Sequence, residues 1–522
     1  MEQVQLYDTT LRDGMQGQGM SLSVEEKIRV VHALDELGVA FIEAGFPGSN
    51  PKEIELFERL EQEDLKTAVI ASFGMTRRRG IEAEDDETLR LLAATFAPAT
   101  TLVGKTWDLH LEKVTKVSRE ENLEMIDDSV RYLVDAGKRV IYDAEHFFDG
   151  FFSDREYALD CLGVAIEAGA ESVTLCDTNG ASLPAAVAEG TSVVVDRFTG
   201  SAVVGIHTHN DAECAVADSL AAVDAGARLV QGTINGIGER TGNANLTSIL
   251  PALQLKMGYD VVTDDQLANL TATAHFVDEL LNRTPNPDQP YVGRNAFAHK
   301  GGMHVAGVRA DARTFEHVEP ATIGNRREAL VSELSGRGTV LEAAEAADLE
   351  MSEEEATRAL RALKEKEHRG YQYEAADGSF ELLLRRESGE YESLFRVESF
   401  RVLVESQEFG GVTTEATIKL LVDGERSLVT AEGNGPVNAL DNALRAALVD
   451  RYPGLASVEL TNYKVRILDE HQGTGAVTRV LLDSTDGKRD WGSIGVSENI
   501  IEASWEALLD SLDYALQEGR GA

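Results

Sequence analysis

Over roughly its first 255 residues this chain alternates short apolar, β-branched runs with longer amphipathic stretches, and that rhythm restricts it to parallel strands joined by crossover helices. Runs at Val4–Tyr7, Ala40–Ala44, Ala68–Ser72, Thr101–Gly104, Arg139–Tyr142, Ser172–Cys176, Val203–His207 and Leu229–Gly232 predict eight strands. Ser23-Val-Glu-Glu26 and Ser153-Asp-Arg-Glu156 read as capping boxes that start helices, and Gly38, Gly137, Gly169 and Gly226 read as the residues that end them. A doubly wound open sheet would alternate in the same way. No GxGxxG follows the first strand, however, and polar motifs come after nearly every strand, so the expected fold is a (β/α)8 barrel with its active site at the strand C-terminal ends.

The chain has 522 residues, about twice what one hydrophobic core serves, so further domains are expected. We expect the barrel to occupy residues 1–280 and a linker with small helical subdomains to occupy 281–390. A C-terminal α+β domain of regulatory type is expected over 391–522. The linker begins at the turn-rich Asn286-Pro-Asp-Gln-Pro290, and helices are expected around Val340–Ala344 and Ala356–Lys366. Beyond residue 390, strands are expected at Phe400–Glu405, Thr414–Val422 and Tyr463–Ile467, with helices at Val437–Val449 and Ile500–Leu516.

A net charge of −41 opposes any encounter with nucleic acid or an anionic membrane. Acidic runs such as Glu82–Glu87, with arginine favoured over lysine, suit a halophilic proteome, although charge runs are also ordinary solvated faces. Cys161, Cys176 and Cys214 have no CxxC spacing and support neither a disulfide framework nor a zinc ribbon. The start of the chain lacks the pattern of a leader, and no apolar run is long enough to span a bilayer, so a cytoplasmic location is expected.

Chemistry concentrates in two distant runs, Thr10-Leu11-Arg12-Asp13-Gly14 and His207-Thr208-His209-Asn210-Asp211. Alternate residues of a strand share a face, so His207 and His209 present two imidazoles to one side, and Asp13 and Asn243 could complete a site for Mg2+, Mn2+, Co2+ or Zn2+. Such a set leaves room for a chelating 2-oxo acid. Arg12 would face the oxygen that becomes negative when a carbon nucleophile attacks, or would serve only as a salt bridge to Asp13 or Glu43.

These runs, with Asn235-Gly-Ile-Gly-Glu-Arg-Thr-Gly-Asn243, Phe46–Pro51, Val103–His110, Tyr142–Gly150 and Ala298–His304, resemble the DRE-TIM metallolyases. Within them the likeness is to the 2-isopropylmalate and homocitrate synthase branch, which joins acetyl-CoA to 2-oxo acids. The resemblance spans essentially the whole chain. It implies a Claisen condensation with pyruvate as acceptor and 2-oxoisovalerate as the alternative, acetyl-CoA as co-substrate, and a homodimer. It also implies a C-terminal domain that binds an amino-acid effector, here isoleucine.

It further implies that Asp13, His207, His209 and Asn243 hold the metal and that Arg12 polarises the keto oxygen. Thr178 would hold the oxo-acid carboxylate, with Tyr142 also in the substrate site, and His304 would be delivered from the linker for acid-base work. Glu145 is the candidate base for the acetyl methyl group, with Glu239 and Glu43 as alternatives. Phe315 stands where relatives often have tyrosine.

Weaker candidates are Arg77-Arg78-Arg79 for coenzyme A phosphates, and Gly433–Pro436 and Gly473–Gly475 for an effector carboxylate. His32, His110, His146 and His275 are expected to be structural, and Trp107 to be core or pocket wall. A retro-Claisen lyase would leave the C-terminal domain unexplained, and a catalytically dead amino-acid sensor would have no need of Arg12, Asp13, His207 and His209.

Overall fold

The computed structural model describes residues 2–299, 302–329, 336–407, 411–468 and 475–518. Eight parallel strands close into a barrel: β1 (Gln5–Asp8), β2 (Phe41–Gly45), β3 (Val69–Met75), β4 (Ala99–Lys105), β5 (Arg139–Glu145), β6 (Ser172–Asp177), β7 (Val203–Thr208) and β8 (Leu229–Gly232). β1 pairs with β8 in register, Tyr7 beside Gln231 and Asp8 beside Gly232, which completes the ring. The eight expected strands are all present.

Helix starts follow the capping chemistry. Ser23 accepts from the Glu26 N–H while Glu26 returns to the Ser23 backbone, opening the helix Val24–Leu37, and Gly38 ends it at φ 88°. The second expected box does not form. Ser153 ends the helix Phe147–Ser153, and Asp154 caps Arg155–Glu167 by accepting from Tyr157 N–H. A carboxylate one residue later is a good cap and also pairs with Arg119 at 2.7 Å.

Strand parity divides the side chains. One set, Tyr7, Phe41, Ala71, Ala99, Ile141 and Leu229, packs in the bore as an apolar plug. The other set, including Leu6, Ile42, Ile70, Val140 and Val173, joins the large core between strands and helices. Toward the strand C-termini the bore-facing positions become polar, with Glu43, Thr101, Asp143, Thr174, His207 and Gln231 all buried.

The chain divides into two compact units, 1–297 with 317–327, and 298–316 with 328–522. In the second, helices Arg337–Ala346, Glu353–His368 and Asp377–Ser388 precede two antiparallel three-stranded sheets. The first sheet comprises Phe395–Gln407, Gly411–Val422 and Glu425–Gly433; the second comprises Glu459–Ile467, Thr478–Thr485 and Asp490–Ser497. Helices Pro436–Leu448 and Ile500–Glu518 cover them, sharing one core with both sheets. Val340, Leu363, Tyr373, Phe380 and Leu384 pack against Ile494 and Val496, so the three preceding helices share a core with the last sheet. Lys300 and Gly301 of the Ala298–His304 motif, and Gly473 and Thr474, lie outside the described residues. Among those described, no helix is long and apolar enough to cross a membrane.

Candidate active site at the barrel mouth

The loop after β1 is fixed before any ligand arrives. Asp8 accepts from Thr10 N–H at 2.9 Å and Thr10 Oγ1 at 2.8 Å, and Thr10 Oγ1 in turn accepts from Ile234 N–H at 2.9 Å. Burial pushes the Asp8 carboxyl up to about 7. This turn carries Arg12 and Asp13 over the bore.

His207 closes β7 and His209 follows it. His207 Nε2 lies 3.4 Å from Asp13 Oδ2 and 3.4 Å from His209 Nε2. Asp13, His207 and His209 are all buried, and each offers a ligand atom within 4.8 Å of the others. The tautomer of His207 follows from its neighbours. Gln231 Nε2 donates to Asp143 Oδ1 at 2.8 Å and to Thr174 Oγ1 at 3.2 Å, so its Oε1 accepts from His207 Nδ1–H at 2.8 Å. Nε2 is left facing Asp13, the arrangement that orients a metal-bound histidine.

Burial, then the neighbouring His207, pushes the His209 imidazole down to about 4, keeping it neutral and able to ligate. Burial alone would raise Asp13, but the Arg12 guanidinium and His207 overturn that and hold it well below the usual carboxylate range.

Asn243 lies opposite His209 in an isolated antiparallel bridge, a position from which both side chains leave the same face. Its Nδ2 donates to Ile237 O at 3.2 Å, while its Oδ1 is buried with no partner. The loop that delivers it requires glycine at 238, where φ is 153° and a Cβ would fall 2.1 Å from Asn243 Nδ2. A convergent carboxylate, two imidazoles and an orphaned buried amide oxygen fit a hard or borderline divalent cation.

Arg12 Nε donates to Glu43 Oε2 at 2.5 Å, its Nη1 lies 3.2 Å from Asp13 Oδ2, and its guanidinium stacks 4.0 Å from the Phe73 ring centroid. Glu43 also accepts from Tyr7 OH at 3.1 Å, so it is a bound anchor for the arginine. Arg12, Asp13, Glu145, Thr178, His207, His209 and Glu239 line one cavity of about 270 Å3. Glu145 pairs with Lys105 across β4 and β5, and Thr178 Oγ1 accepts from His146 N–H at 2.9 Å.

One expected site residue lies elsewhere. Tyr142 has the opposite strand parity to Asp143 and Glu145, so it points into the helix-facing core, fully buried and with its hydroxyl unpartnered. Asp143 is the residue of that motif which faces the bore. His304 is exposed on the helix Gly302–Ala310 in the second unit, its ring stacked on Phe315 at 4.2 Å. The phenyl ring of Phe315 thus keeps a packing role without the hydroxyl.

A second cavity of about 640 Å3 shares the Phe73 and Val103 walls and includes Phe46, Met75 and Met125. Arg77 pairs with Asp128 at 2.8 Å; Arg78, paired with Asp86 at 3.3 Å, and Arg79, which donates to Lys116 O at 3.0 Å, stand at the rim with exposed side chains. Sequence reasoning missed Gln231 and Asp143, whose signal was a polar residue at an inward strand position. It also missed Arg240, which pairs with Asp211 at 2.8 Å and donates to Thr178 O at 2.8 Å, tying three strand-end loops together.

Comparison with known proteins agrees with this anatomy. Residues 3–277 match the HMGL-like family, 291–370 the homocitrate synthase post-HMGL domain-like family, and 374–516 the LeuA allosteric (dimerisation) domain. An (R)-citramalate synthase of Geobacter sulfurreducens is 49% identical, covering 99% of this chain and 98% of that protein. The (R)-citramalate synthase of Aquifex aeolicus is 48% identical with the same coverage. A probable 2-isopropylmalate synthase of Methanopyrus kandleri is 34% identical over 99% of both chains. With barrel, post-barrel segment and C-terminal domain all matched in order, the chain belongs to the DRE-TIM metallolyases, in the group that includes the (R)-citramalate synthases.

Proposed function

We propose that this chain condenses acetyl-CoA with pyruvate and hydrolyses the resulting thioester, releasing (R)-citramalate and free coenzyme A. The observation that carries the reading is the 270 Å3 cavity, which gathers Arg12, Thr178, Glu145, Asp13, His207 and His209 on one wall system. Its size suits a three-carbon oxo acid, and the adjoining 640 Å3 cleft suits the pantetheine arm, with Arg78 and Arg79 at the phosphate end.

Asp13, His207, His209 and Asn243 would hold a divalent cation, which when bound supplies Lewis-acid polarisation of the keto group. Thr178 Oγ1, already accepting from His146, donates its hydroxyl hydrogen to the substrate carboxylate. Glu145 removes a proton from the acetyl methyl group; the carbanion forms the new bond at the keto carbon, and Arg12 faces the oxygen that gains the charge. Glu43 holds Arg12 at that place. Water then cleaves the thioester, with the exposed His304 of a second copy as the acid-base group.

Among donors of this kind Mn2+, Co2+ or Zn2+ are favoured over Mg2+ because two ligands are imidazoles. The dimer forms through the C-terminal unit, where Tyr463, Val465 and Ile467 share a face with the buried Val480 and Leu482 yet are themselves exposed. Isoleucine is the effector bound by this unit, its carboxylate near the turn Gly433–Pro436. A net charge of −41 fits a salt-rich cytoplasm, where counterions screen self-repulsion.

The test is thiol release from acetyl-CoA with pyruvate, 2-oxobutyrate, 2-oxoisovalerate and 2-oxoglutarate in parallel. Pyruvate is expected to give the highest kcat/KM. Preference for 2-oxoisovalerate would assign 2-isopropylmalate formation instead, and no release with any acid would refute the condensation.

A further inference from the structure

Apart from Asp13, His207 and His209, the described residues bring together a second set of metal-type donors. Lys105 ends β4 opposite Glu145, which ends β5. The turn after β4 carries Trp107 and His110, and His146 directly follows Glu145. One ligand atom each from His110, Glu145 and His146 lies within 4.8 Å of the other two. The two imidazole rings are 4.1 Å apart between centroids, and Trp107 flanks both, at 5.8 Å from His110 and 5.5 Å from His146.

The hydrogen bonding around these rings is what a ligand site needs. His146 Nδ1 lies 3.0 Å from Asp149 Oδ2, a carboxylate partner that keeps the proton on Nδ1 and leaves the Nε2 lone pair free. The backbone of His146 is held at φ 57°, a left-handed conformation, with its N–H bonded to Thr178 Oγ1. His110 Nδ1 is buried and has no hydrogen-bond partner. Two packed histidines of purely structural use would have their buried nitrogens satisfied; here one buried nitrogen is left without a partner, on a ring packed against an imidazole and an indole.

We infer that His110, Glu145 and His146 form a second metal site, separate from the one at Asp13, that takes a borderline transition-metal dication such as Zn2+ or Co2+. Two imidazoles and one carboxylate select against Mg2+, which prefers oxygen ligands in octahedral array. Lys105 pairs with Glu145, so an incoming ion must displace a monovalent ammonium with a divalent charge, and occupancy therefore takes Glu145 out of the reaction cavity it lines. The site is thereby inhibitory. That effect on turnover rests on the part of Glu145 in the proposed condensation; the occupancy does not.

The experiment is metal counting on the full-length chain, stripped with chelator, incubated with excess Zn2+ or Mn2+ and freed of unbound ion by gel filtration. Two zinc ions per chain are expected for the wild type and one for His110→Ala, for His146→Asn and for His207→Ala; manganese, which binds such donors more weakly than zinc, is kept through gel filtration only where Asn243 adds a fourth donor and gives one in the wild type. His146→Asn retains a residue suited to the left-handed backbone, which separates ligand loss from misfolding. With Co2+, the wild type shows two sets of visible absorption bands and His110→Ala shows one. A single zinc ion in the wild type, or two in His110→Ala, overturns the site. Zinc added to the manganese enzyme should slow the wild type more than His110→Ala; equal slowing with two zinc ions bound leaves the site standing and overturns the role of Glu145.

Discussion

Gln231 Oε1 accepts a hydrogen bond from His207 Nδ1 at 2.8 Å while its amide nitrogen is held by Asp143, so a side chain that touches no substrate decides which nitrogen of the imidazole faces the bore. Gln231→Leu removes that orientation without a charge change. Metal affinity should fall about 10–100-fold with the fold unchanged, a loss typical of outer partners of metal ligands. Titration of the apoprotein with Mn2+, beside its circular dichroism spectrum, checks this; unchanged affinity would contradict it.

Arg12 uses three faces of one guanidinium: Nε on Glu43, Nη1 on Asp13 and the plane on Phe73. Lysine retains the charge and none of this geometry. Arg12→Lys is therefore expected to lower kcat by about 10²–10³, the usual loss for one positioned oxyanion donor, with a smaller change in the KM for acetyl-CoA. Steady-state kinetics with both substrates varied decides it.

Asp218 is buried on the helix Ala215–Asp224, its Oδ1 has no partner, and burial together with Asp177 pushes its carboxyl up to about 7. A carboxyl raised above its unfolded value is most compatible with the fold when protonated. It subtracts stability increasingly as pH climbs from about 4 toward 7 and fully above that. Asp218→Asn should thus match the wild type near pH 4 and exceed it at pH 8. Each kcal/mol recovered is worth about 2–4 °C in the melting midpoint. Melting curves at the two pH values give the answer, and an equal offset at both would rule out titration as the cause.

Tyr463, Val465 and Ile467 continue a buried face out to an uncovered sheet edge. Val465→Asp places a charge in the proposed dimer contact, and sedimentation should show a monomer where the wild type is a dimer. A dimer that survives at micromolar concentration would move the interface elsewhere.

A chain ended at Ser388 retains Tyr371, Tyr373, Phe380 and Leu384 but loses Ile494 and Val496, which share their core. Such a truncation is expected to aggregate and to bind an apolar dye that the full chain does not. A soluble, dye-silent product would show that the helices fold without the sheet.

The barrel was legible because each βα unit repeats the same local signals, and the mouth residues were legible because strand ends carry chemistry in this architecture. Tyr142 shows what such reading lacks. Its motif was found, but only strand register tells that Asp143 faces in and Tyr142 faces out. The strands Glu425–Gly433, Thr478–Thr485 and Asp490–Ser497 escaped notice for another reason. They mix charge, Ser and Gly among their apolar residues, which dilutes the apolar, β-branched run that marks a strand. His110 and His146 stand 36 positions apart, and only the pairing of β4 with β5 makes them neighbours.

The apolar plug formed by Tyr7, Phe41, Ala71, Ala99, Ile141 and Leu229 seals the bore beneath the polar ring. Solvent and substrate therefore enter from one end alone. Mutations that retune acceptor choice can accumulate in the upper ring while the foundation that keeps the strands together is left untouched, so a barrel of this build can change its diet without being refolded.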